Sequence, residues 1–295
     1  MRNPEPCVVF AMTPQYAGEF SLQCLSFKTS PRNANVASLT QLYNQVVLFG
    51  DSLFQLSCTP QDGFSFQAAL QDLCMRRLDV INRGFSGYNT ANALGVLPYL
   101  FPPPSTTTPK IDYILILLGA NDACLPIPTN SQQIALDQYK QNLKAILTHP
   151  TIRAHDPKIL LVNPPPLDEI RMLERDLEKG HGQASRNAAV SKTYSDAALA
   201  VASEVPGVVP IDLYGAVMRR AEQMTIGFSR SSLPLGSPGG ERGGLEVLVP
   251  DGLHLGGEGY RVLFELVKPH IGPFDESRED YRHPDWKILN PGSLG

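Results

Sequence analysis

The feature that most limits what this chain can fold into is a series of short apolar runs rich in β-branched residues. The first, VVLFG (46–50), ends in glycine, as is typical of a parallel strand buried on both faces. Similar runs recur at DVIN (79–82), IDYILILLG (111–119), KILLVN (158–163) and GVVPI (207–211). Stretches compatible with helices lie between them, at 63–77, 89–100, 131–147 and 184–204. Five strands that alternate with helices predict an α/β fold with a doubly wound parallel sheet.

The regions around this alternating pattern differ from it in composition. Residues 1–44 contain four prolines and follow neither helical nor strand periodicity, so we expect a disordered or irregular N-terminal extension. We expect one domain over 45–272. It contains a flexible insert at 229–244, because SRSSLPLGSPGGERGG is rich in glycine, serine and proline. Residues 273–295 are expected to form a polar C-terminal tail.

Charge and hydropathy exclude two classes of protein. The chain has 25 Lys and Arg against 29 Asp and Glu, a net charge of −4, so it lacks the basic excess typical of nucleic-acid binding. Its longest apolar stretch, 114–118, is far shorter than the roughly 20 residues that cross a bilayer as a helix. We therefore expect no nucleic-acid partner and no transmembrane segment. The oligomeric state stays open.

The cysteines indicate a reducing compartment. They are Cys7, Cys24, Cys58, Cys74 and Cys124. This odd, scattered set contains no C-x-x-C pair and no metal-ligand spacing, so the side chains are expected to be reduced thiols. The first residues make a poor signal peptide because they include Glu5 and two early prolines. We expect a cytoplasmic protein, with a mitochondrial leader or secretion as the less favoured alternatives.

Polar residues follow the predicted strands at the edge where ligand sites lie in open parallel sheets. DSL (51–53) follows the first strand, RGFSGYN (83–89) the second and AND (120–122) the third. DGLH (251–254) stands near the end of the domain. A hydroxyl, glycine amides, an amide side chain and an Asp–His pair are therefore expected on one rim of the sheet.

This combination is suited to acyl transfer. Ser52 becomes a nucleophile only when a base removes its proton, and His254 can be that base. Asp251 lies three residues before His254, close enough on a turn to bind one ring nitrogen and fix the tautomer. The backbone N–H groups of Ser52 and Gly87 and the side-chain amide of Asn121 are candidate donors to a developing oxyanion.

Structural roles are open for several residues near these motifs. Gly84 lies in the same loop as Gly87 and could be the exposed glycine instead. Asn121 could cap the segment that follows it, and Asp122 is interpreted as a brace for its loop. Asp51 is expected to support the turn after the first strand.

The other histidines are given structural interpretations. His283 has the same D-x-x-H spacing as the pair above, but it lies in a highly charged tail, so we expect it at the surface. His181 follows a charged helix and is expected to mark its end, a flexible lid near the substrate being the alternative. Loop or surface positions are expected for His149, His155 and His270.

Three further residues have simple structural interpretations. Asp168 and Glu169 follow a run of prolines and fit the start of a helix, where negative charge is favourable. Cys124 borders the AND block, where we expect it to be a small buried hydrophobic residue rather than part of the pocket wall.

The four blocks together resemble those of the SGNH (GDSL) hydrolase superfamily in order and separation. They are GDSL (50–53), GFSGYNT (84–90), GAND (119–122) and DGLHL (251–255). The stretches RGFSGYNT, LGANDA, NPPPLDE, DGLHLGGEGY and PDWK look like those of isoamyl acetate-hydrolysing esterases. The resemblance covers roughly 46–271. It implies a three-layer α/β/α sandwich with a flavodoxin-like, five-stranded parallel sheet.

The resemblance also implies a function. Members of the superfamily are serine esterases that act on small carboxylic esters, often with short acyl chains, without a metal or cofactor. By this resemblance Ser52 is the nucleophile, Gly87 and Asn121 are oxyanion donors, and Asp251 and His254 form the acid–base pair. The insert before DGLHL and the extension at the front of the chain depart from the pattern of the superfamily.

Two other functions stay open. The first is a metal-dependent phosphohydrolase. Asp51, Asp122 and Asp251 all follow strands or lie at the same rim, where carboxylates can hold Mg²⁺. The second is a catalytically silent binding module, which the insert ahead of Asp251 suggests. Activity that is abolished by EDTA and unaffected by organophosphates would indicate the first. Absence of both ester turnover and covalent labelling of Ser52 would indicate the second.

Overall fold

The sheet contains five parallel strands in the order β2-β1-β3-β4-β5. The strands are β1 (Asn44–Gly50), β2 (Leu78–Gly84), β3 (Ile111–Leu117), β4 (Lys158–Val162) and β5 (Val208–Ile211). They belong to a computed structural model that describes residues 42–128, 130–229, 232–283 and 285–286. The order 2-1-3-4-5 is that of flavodoxin-like doubly wound sheets, so the predicted fold class is confirmed.

The strand ends differ from the predicted ones by one or two residues. β1 begins at Asn44 rather than at residue 46 because Asn44 already pairs with Leu78 of β2. β2 continues to Gly84, beyond the predicted end at residue 82. β3 ends at Leu117 rather than at residue 119, because Gly119 has a φ of +128° and turns the chain away from the ladder.

Helices connect the strands and cover both faces of the sheet. They are α1 (Ser52–Gln55), α2 (Phe66–Leu73), α3 (Thr90–Leu100), α4 (Leu136–Leu147), α5 (Pro150–Arg153), α6 (Glu169–Glu178), α7 (Ala188–Glu204), α8 (Leu213–Met224), α9 (Leu245–Leu248) and α10 (Gly257–Val267). The prediction of 89–100 matches α3 to within one residue, whereas α2, α4 and α7 are shorter than predicted. α8 was not predicted, although its buried residues Leu213, Val217 and Ala221 recur at helical spacing.

Polar caps set where two of the shortened helices begin. The Ser65 side chain accepts a hydrogen bond from the Ala68 N–H, so α2 starts at Phe66 rather than at residue 63. Asn187 caps α7 in the same way by accepting from the Val190 N–H. The polar residues ahead of each cap therefore belong to loops.

Alternate residues of β1 face opposite sides of the sheet, as the two-residue period of a strand requires. Val46 and Leu48 pack in a core with residues of α1, α2, α8, α9 and α10. Val47 and Phe49 pack in a second core with residues of α3, α4 and α7. A sheet between two helical layers is the predicted three-layer α/β/α sandwich.

The insert and the tail contact the domain through polar groups. In the described part of 229–244, the Gly236 carbonyl accepts a 2.8 Å hydrogen bond from the Glu169 N–H. Arg242 forms a 2.5 Å ion pair with Asp168, whose side chain is fully buried. In the tail, Asp280 forms a 2.8 Å ion pair with the side chain of Arg77. The insert is therefore linked to the start of α6.

Two further predictions concern the N-terminal extension and the absence of a transmembrane segment. The predicted extension over 1–44 lies outside the described residues up to residue 41. Among the helices of the described residues, none has both the length and the apolar character that crossing a membrane requires.

Candidate active site

Ser52 lies at the carboxyl end of β1, where the strand gives way to α1. The turn requires glycine because a Cβ on Gly50 would lie 2.3 Å from the Leu117 carbonyl oxygen. Asp51 caps α1, since its Oδ1 accepts a 2.9 Å hydrogen bond from the Leu53 N–H. Ser52 is the first residue of this helix. The end of the strand and the cap together fix its hydroxyl at the carboxyl edge of the sheet.

Asp251 and His254 lie in the loop between α9 and α10. Asp251 Oδ1 accepts hydrogen bonds from the backbone N–H groups of Leu253 at 2.9 Å and His254 at 2.7 Å, which hold the loop in a turn. Asp251 Oδ2 lies 2.7 Å from His254 Nδ1, and His254 Nε2 lies 2.9 Å from Ser52 Oγ. When Nδ1–H donates to the carboxylate, the lone pair of Nε2 faces the hydroxyl and can accept its proton.

Arg175 of α6 also holds Asp251. Its guanidinium contacts Asp251 Oδ2 and donates a 3.1 Å hydrogen bond to the carbonyl of the same residue. Burial acts to raise the pKa of Asp251, but the hydrogen bonds from His254 and from the Leu253 N–H hold that pKa below its ordinary value. The carboxylate is therefore ionised at neutral pH and able to orient the imidazole.

Gly87 and Asn121 line the same cavity as Ser52 and His254. Gly87 has a φ of +83°, in the left-handed region that favours glycine. Within the described residues, neither its N–H nor that of Ser52 donates a hydrogen bond. Asn121 Nδ2 uses one of its two hydrogens in a 2.9 Å bond to the Tyr88 carbonyl. The cavity therefore has three N–H groups available to an oxygen atom.

Gly84, the alternative to Gly87, has a different role. It is the last residue of β2, and a Cβ there would lie 2.0 Å from the Gln55 nitrogen. A side chain at this position would collide with α1. Gly84 therefore serves the close packing of α1 on β2 and does not line the cavity.

Two side chains fix the orientation of the N–H donors. Arg186 Nη2 donates a 3.0 Å hydrogen bond to Asn121 Oδ1, and Arg186 Nε donates at 3.3 Å to the Ala120 carbonyl. Gln132 Nε2 donates a 2.8 Å hydrogen bond to the Gly87 carbonyl. Because Arg186 binds the oxygen of the Asn121 amide, the amide nitrogen faces away from Arg186. The contact from Gln132 holds the peptide that follows Gly87.

Asp51 and Asp122 are buried carboxylates that support these loops. Asp122 accepts hydrogen bonds from the Thr90 N–H at 3.0 and 3.2 Å and from the Thr90 hydroxyl at 2.5 Å, which links the end of β3 to the start of α3. Burial raises the pKa of Asp122 to about 6 against these hydrogen bonds. Burial also raises the pKa of Asp51 to about 7, against the lowering effect of the Leu53 N–H.

The cavity at this edge of the sheet has a volume of about 410 Å³. Ser52, Gly87, Asn121 and His254 all belong to its lining, so the predicted residues from the four sequence blocks are brought together. Asp251 reaches the cavity through His254. The arrangement can activate a hydroxyl and bind an oxyanion next to it.

Some histidines lie where the sequence predicts them and others do not. His181, beyond the end of α6, lines the cavity. His155 lies in a turn after α5, as predicted, but it is buried. The side chain is 2% exposed, because Nδ1 accepts a 3.1 Å hydrogen bond from the Ile111 N–H at the start of β3. His283 is half-buried, with its ring 5.3 Å from that of Tyr43, and it is outside the cavity lining.

The remaining candidates are structural. His149 caps α5, and His270 ends a short 3₁₀ turn after α10. Asp168 caps α6 by accepting from the Arg171 N–H, and Glu169 is the first residue of that helix, as predicted. Cys124 is 2% exposed and lies outside the cavity lining.

The three carboxylates considered as metal ligands are bound by protein groups. The Asp122 carboxylate accepts a hydrogen bond from the Thr90 hydroxyl, and the Asp251 carboxylate is hydrogen-bonded to the ring of His254. Asp51 Oδ1 accepts the backbone bond that caps α1. In the part of the chain that the structure describes, no group of three or more His, Cys, Asp or Glu side chains is placed to hold a metal ion. These contacts therefore give no support to a metal site built from the three carboxylates.

Comparisons with known proteins agree with the motifs. The model of the GDSL-like lipase/acylhydrolase family matches residues 48–262. A GDSL esterase/lipase of Arabidopsis thaliana is 34% identical over 228 residues, which cover 76% of this chain and 83% of that protein. The isoamyl acetate-hydrolyzing esterase 1 homolog of Mus musculus is 34% identical over 232 residues, covering 77% and 81%. A solved lipase/acylhydrolase from Enterococcus faecalis has a TM-score of 0.50 at 25% identity, covering 79% and 99%.

The fold and these matches define an enzyme that hydrolyses carboxylic esters. The chain belongs to the GDSL-like lipase/acylhydrolase family, within the SGNH hydrolases that its motifs resemble. The match runs from the middle of β1 into α10, so it includes all four motif blocks and the four other strands of the sheet.

Three residues of the site were not predicted from the sequence. Arg175 lies in the charged helix that precedes His181, but many helices carry exposed arginines and nothing in the spacing singles it out. Arg186 and Gln132 lie in loops without a recognisable motif. Their contacts to Asp251, Asn121 and Gly87 depend on how the loops fold over the rim.

Proposed function

We propose that the chain hydrolyses carboxylic esters through an acyl-enzyme formed on Ser52. The observation that carries this proposal is the continuous contact from Asp251 through His254 to Ser52, at 2.7 and 2.9 Å. His254 Nε2 takes the hydroxyl proton while Oγ attacks the carbonyl carbon of the ester. Asp251 keeps Nδ1 protonated and stabilises the imidazolium that forms. The carbonyl electron pair moves to oxygen and gives a tetrahedral oxyanion.

The oxyanion is bound by the Ser52 and Gly87 N–H groups and by Asn121 Nδ2. All three residues line the cavity that also contains the nucleophile. The donors are held before substrate arrives, because Arg186 and Gln132 fix Asn121 and the Gly87 peptide. Preorganised donors need little reorganisation as charge develops, and one such donor is worth roughly 10²–10³ in kcat.

The second half of the reaction uses the same groups. His254 gives its proton to the alcohol oxygen as the tetrahedral species collapses, which leaves the acyl group on Ser52 Oγ. His254 then takes a proton from a water molecule that attacks the acyl carbon. Collapse of the second oxyanion releases the carboxylic acid and returns the proton to Ser52. No step requires a group other than those of the chain and water.

The proposed substrate is a small ester with a short acyl chain, of the acetate-ester type. Support comes from the mouse relative, which is named as a homolog of isoamyl acetate-hydrolyzing esterase 1. The catalytic domain is proposed to be 45–272, since the family model matches 48–262. The cytoplasmic location and the lack of a nucleic-acid partner stay predictions from composition.

A panel of esters tests this function directly. Purified protein is assayed with p-nitrophenyl acetate and with alkyl acetates and butyrates, alongside the Ser52→Ala variant. We expect acetate esters to be turned over by the unmodified chain, with a loss of about 10⁴-fold or more in the variant. EDTA should leave the rate unchanged, whereas loss with EDTA would favour a metal-dependent enzyme. No turnover of any ester would favour a silent binding module.

A further inference from the structure

The cavity beside Ser52 is almost entirely hydrophilic. Of the 14 residues that line it, Leu253 alone has a hydrophobic side chain. A long apolar acyl chain in this space would remove polar groups from water without giving them hydrogen bonds in return. Burying a polar group without a hydrogen-bond partner is unfavourable. The lining therefore favours a substrate whose own polar atoms can bind to it.

Arg186 supplies a positive charge with unused donors. Its side chain is 8% exposed and lines the cavity. Two of its five N–H hydrogens bind the Ala120 carbonyl and Asn121 Oδ1. The other three have no acceptor among the described residues, and the guanidinium forms no ion pair there. A buried cation of this kind is normally paired with a carboxylate.

Lys179 adds a second positive charge to the lining. It is exposed at the end of α6 and forms no ion pair or side-chain hydrogen bond with other described residues. The amine is therefore available to a ligand in the cavity. It has three donors on a flexible stem, which suits contact with an anionic group of a small molecule.

Other titratable groups of the lining do not cancel these charges. Asp176 is the one carboxylate among the 14 lining residues, and its side chain accepts a 2.6 Å hydrogen bond from the Ser185 N–H. It is 2% exposed, so it is turned away from solvent. His181 and His254 add no negative charge. The lining thus has two cations against one buried carboxylate, although the whole chain has a net charge of −4.

We propose that this enzyme selects esters whose non-reacting part carries a carboxylate, bound by Lys179 and the free donors of Arg186. The inference rests on the proposed function, because it concerns a substrate of the same Ser52 site. It narrows the substrate class from small esters in general to small anionic esters. The positive charges of Lys179 and Arg186 account for the substrate preference, and the residues of the four sequence blocks account for the hydrolysis.

Matched ester pairs test the inference. In the first pair, 4-acetoxybutanoate is compared with 5-acetoxypentan-2-one, in which a methyl ketone replaces the carboxylate of the alcohol part. In the second, the p-nitrophenyl esters of succinic and levulinic acids place the same difference in the acyl part. We expect kcat/KM to be about 10-fold higher for the anionic member of at least one pair, and this preference to fall as salt is raised.

Lys179→Met tests whether the side-chain charge binds substrate, because the cap of α6 at Lys179 is made by its backbone N–H, which the variant keeps. The variant keeps most of the side-chain length and removes its charge, so the anionic-to-neutral ratio of kcat/KM should fall about threefold or more. Lys140→Met is the matched control, because Lys140 pairs with Asp137 on α4 and lies outside the cavity lining. The control should keep the ratio of the unmodified enzyme. If Lys179→Met leaves the ratio unchanged, with or without a change in thermal stability, Lys179 does not bind the substrate carboxylate and the proposal is wrong.

The outcomes of the two proposals are distinguishable. Turnover of neutral esters at rates equal to or above those of the anionic partners in both pairs overturns only the inference about charge. No turnover of any member, together with no covalent labelling of Ser52, overturns the proposed function itself.

Discussion

Arg186 donates a 3.0 Å hydrogen bond to the side-chain oxygen of Asn121, 65 positions earlier in the chain. This contact removes the two-fold ambiguity of the Asn121 amide, because the oxygen is bound to a cation and the nitrogen must point elsewhere. One Nδ2 hydrogen binds the Tyr88 carbonyl and the other is free for the cavity. An amide whose oxygen accepts from a guanidinium is polarised and becomes a stronger donor through its nitrogen.

Asn121 and Arg186 are predicted to act as one unit. Asn121→Ala should lower kcat by about 10²–10³-fold, because it removes one of the proposed donors to the oxyanion. Arg186→Met should lower kcat in the unmodified enzyme but have a much smaller effect in the Asn121→Ala background. A double-mutant cycle on p-nitrophenyl acetate hydrolysis measures this coupling. Strictly additive losses would mean that Arg186 acts independently of Asn121.

Asp251→Asn is predicted to reverse the hydrogen bonding of His254. Oδ1 of Asp251 is held by two backbone N–H groups, so the new amide nitrogen must take the place of Oδ2. There it faces the guanidinium of Arg175 and Nδ1 of His254, which favours the tautomer with its proton on Nε2. We expect kcat to fall about 10²–10⁴-fold with a small change in KM.

A steady-state comparison of the variants measures this effect. Asp196→Asn is the control, because Asp196 is an exposed carboxylate that pairs with Lys192 on α7. Its kcat should equal that of the unmodified enzyme. A change confined to KM in Asp251→Asn would mean that Asp251 binds substrate and does not orient the imidazole.

Gly87→Ala is predicted to weaken the proposed oxyanion hole. The φ of Gly87 is +83°, and a Cβ would lie 3.3 Å from Gln132 Nε2. Left-handed backbone costs a residue with a Cβ about 1–2 kcal/mol, so the loop should shift and carry the N–H with it. We expect kcat/KM to fall about 10-fold or more.

Gly95→Ala provides the matched control for that substitution. Gly95 lies inside α3, and a Cβ there meets no atom within 4 Å. The variant should be as active as the unmodified enzyme and up to about 1 kcal/mol more stable. Kinetics and thermal melts of both variants make the comparison, and equal activity in the two would exclude Gly87 from the oxyanion hole.

The buried carboxyl of Asp51 is predicted to make stability depend on pH. Burial raises its pKa from 3.8 to about 7. Between about pH 4 and pH 7 the folded state keeps a proton that the unfolded state releases, so the free energy of unfolding falls as pH rises through this range. The fall amounts to about 1.4 kcal/mol for each pH unit over which only the folded state holds the proton.

Asp51→Asn removes this titration. Urea unfolding at pH 5 and pH 8 should show a smaller loss of stability in the variant than in the unmodified chain, by about 2–3 kcal/mol. Asp137→Asn, at a side chain that is 91% exposed, should leave the difference between the two pH values unchanged. An equal loss in Asp51→Asn and the unmodified chain would show that Asp51 is ionised in the folded state at both pH values.

The central strands could be predicted from the sequence because their burial on both faces requires continuous apolar residues. VVLFG (46–50) and ILIL (114–117) correspond to the fully buried parts of β1 and β3. The ends of the strands and helices could not be predicted, because they depend on strand pairing and helix caps. Asn44 is polar yet pairs in the ladder, and the cap at Ser65 makes α2 begin later than predicted. β-pairing of a polar residue has no signature in a single sequence.

The site was predictable where each residue follows a strand or belongs to a tight turn. Ser52 and Asn121 come shortly after β1 and β3, and the D-x-x-H spacing anticipates the contact between Asp251 and His254. The side chains that support them could not be predicted. Arg186 reaches Asn121 from a loop far along the chain, and its direction is set by packing rather than by spacing. The same reason explains why the burial of His155 could not be predicted, since its ring accepts a hydrogen bond from a backbone N–H far away in the sequence.

Covalent labelling of Ser52 tests the central claim most directly. The enzyme is incubated with a fluorophosphonate, digested and mapped by mass spectrometry, with His254→Ala as the second sample. We predict one adduct, on the peptide that contains Ser52, together with complete loss of esterase activity, and much slower labelling in His254→Ala because the base is absent. Full inactivation with the adduct on another residue, or retained ester hydrolysis after Ser52 is fully modified, would contradict the claim.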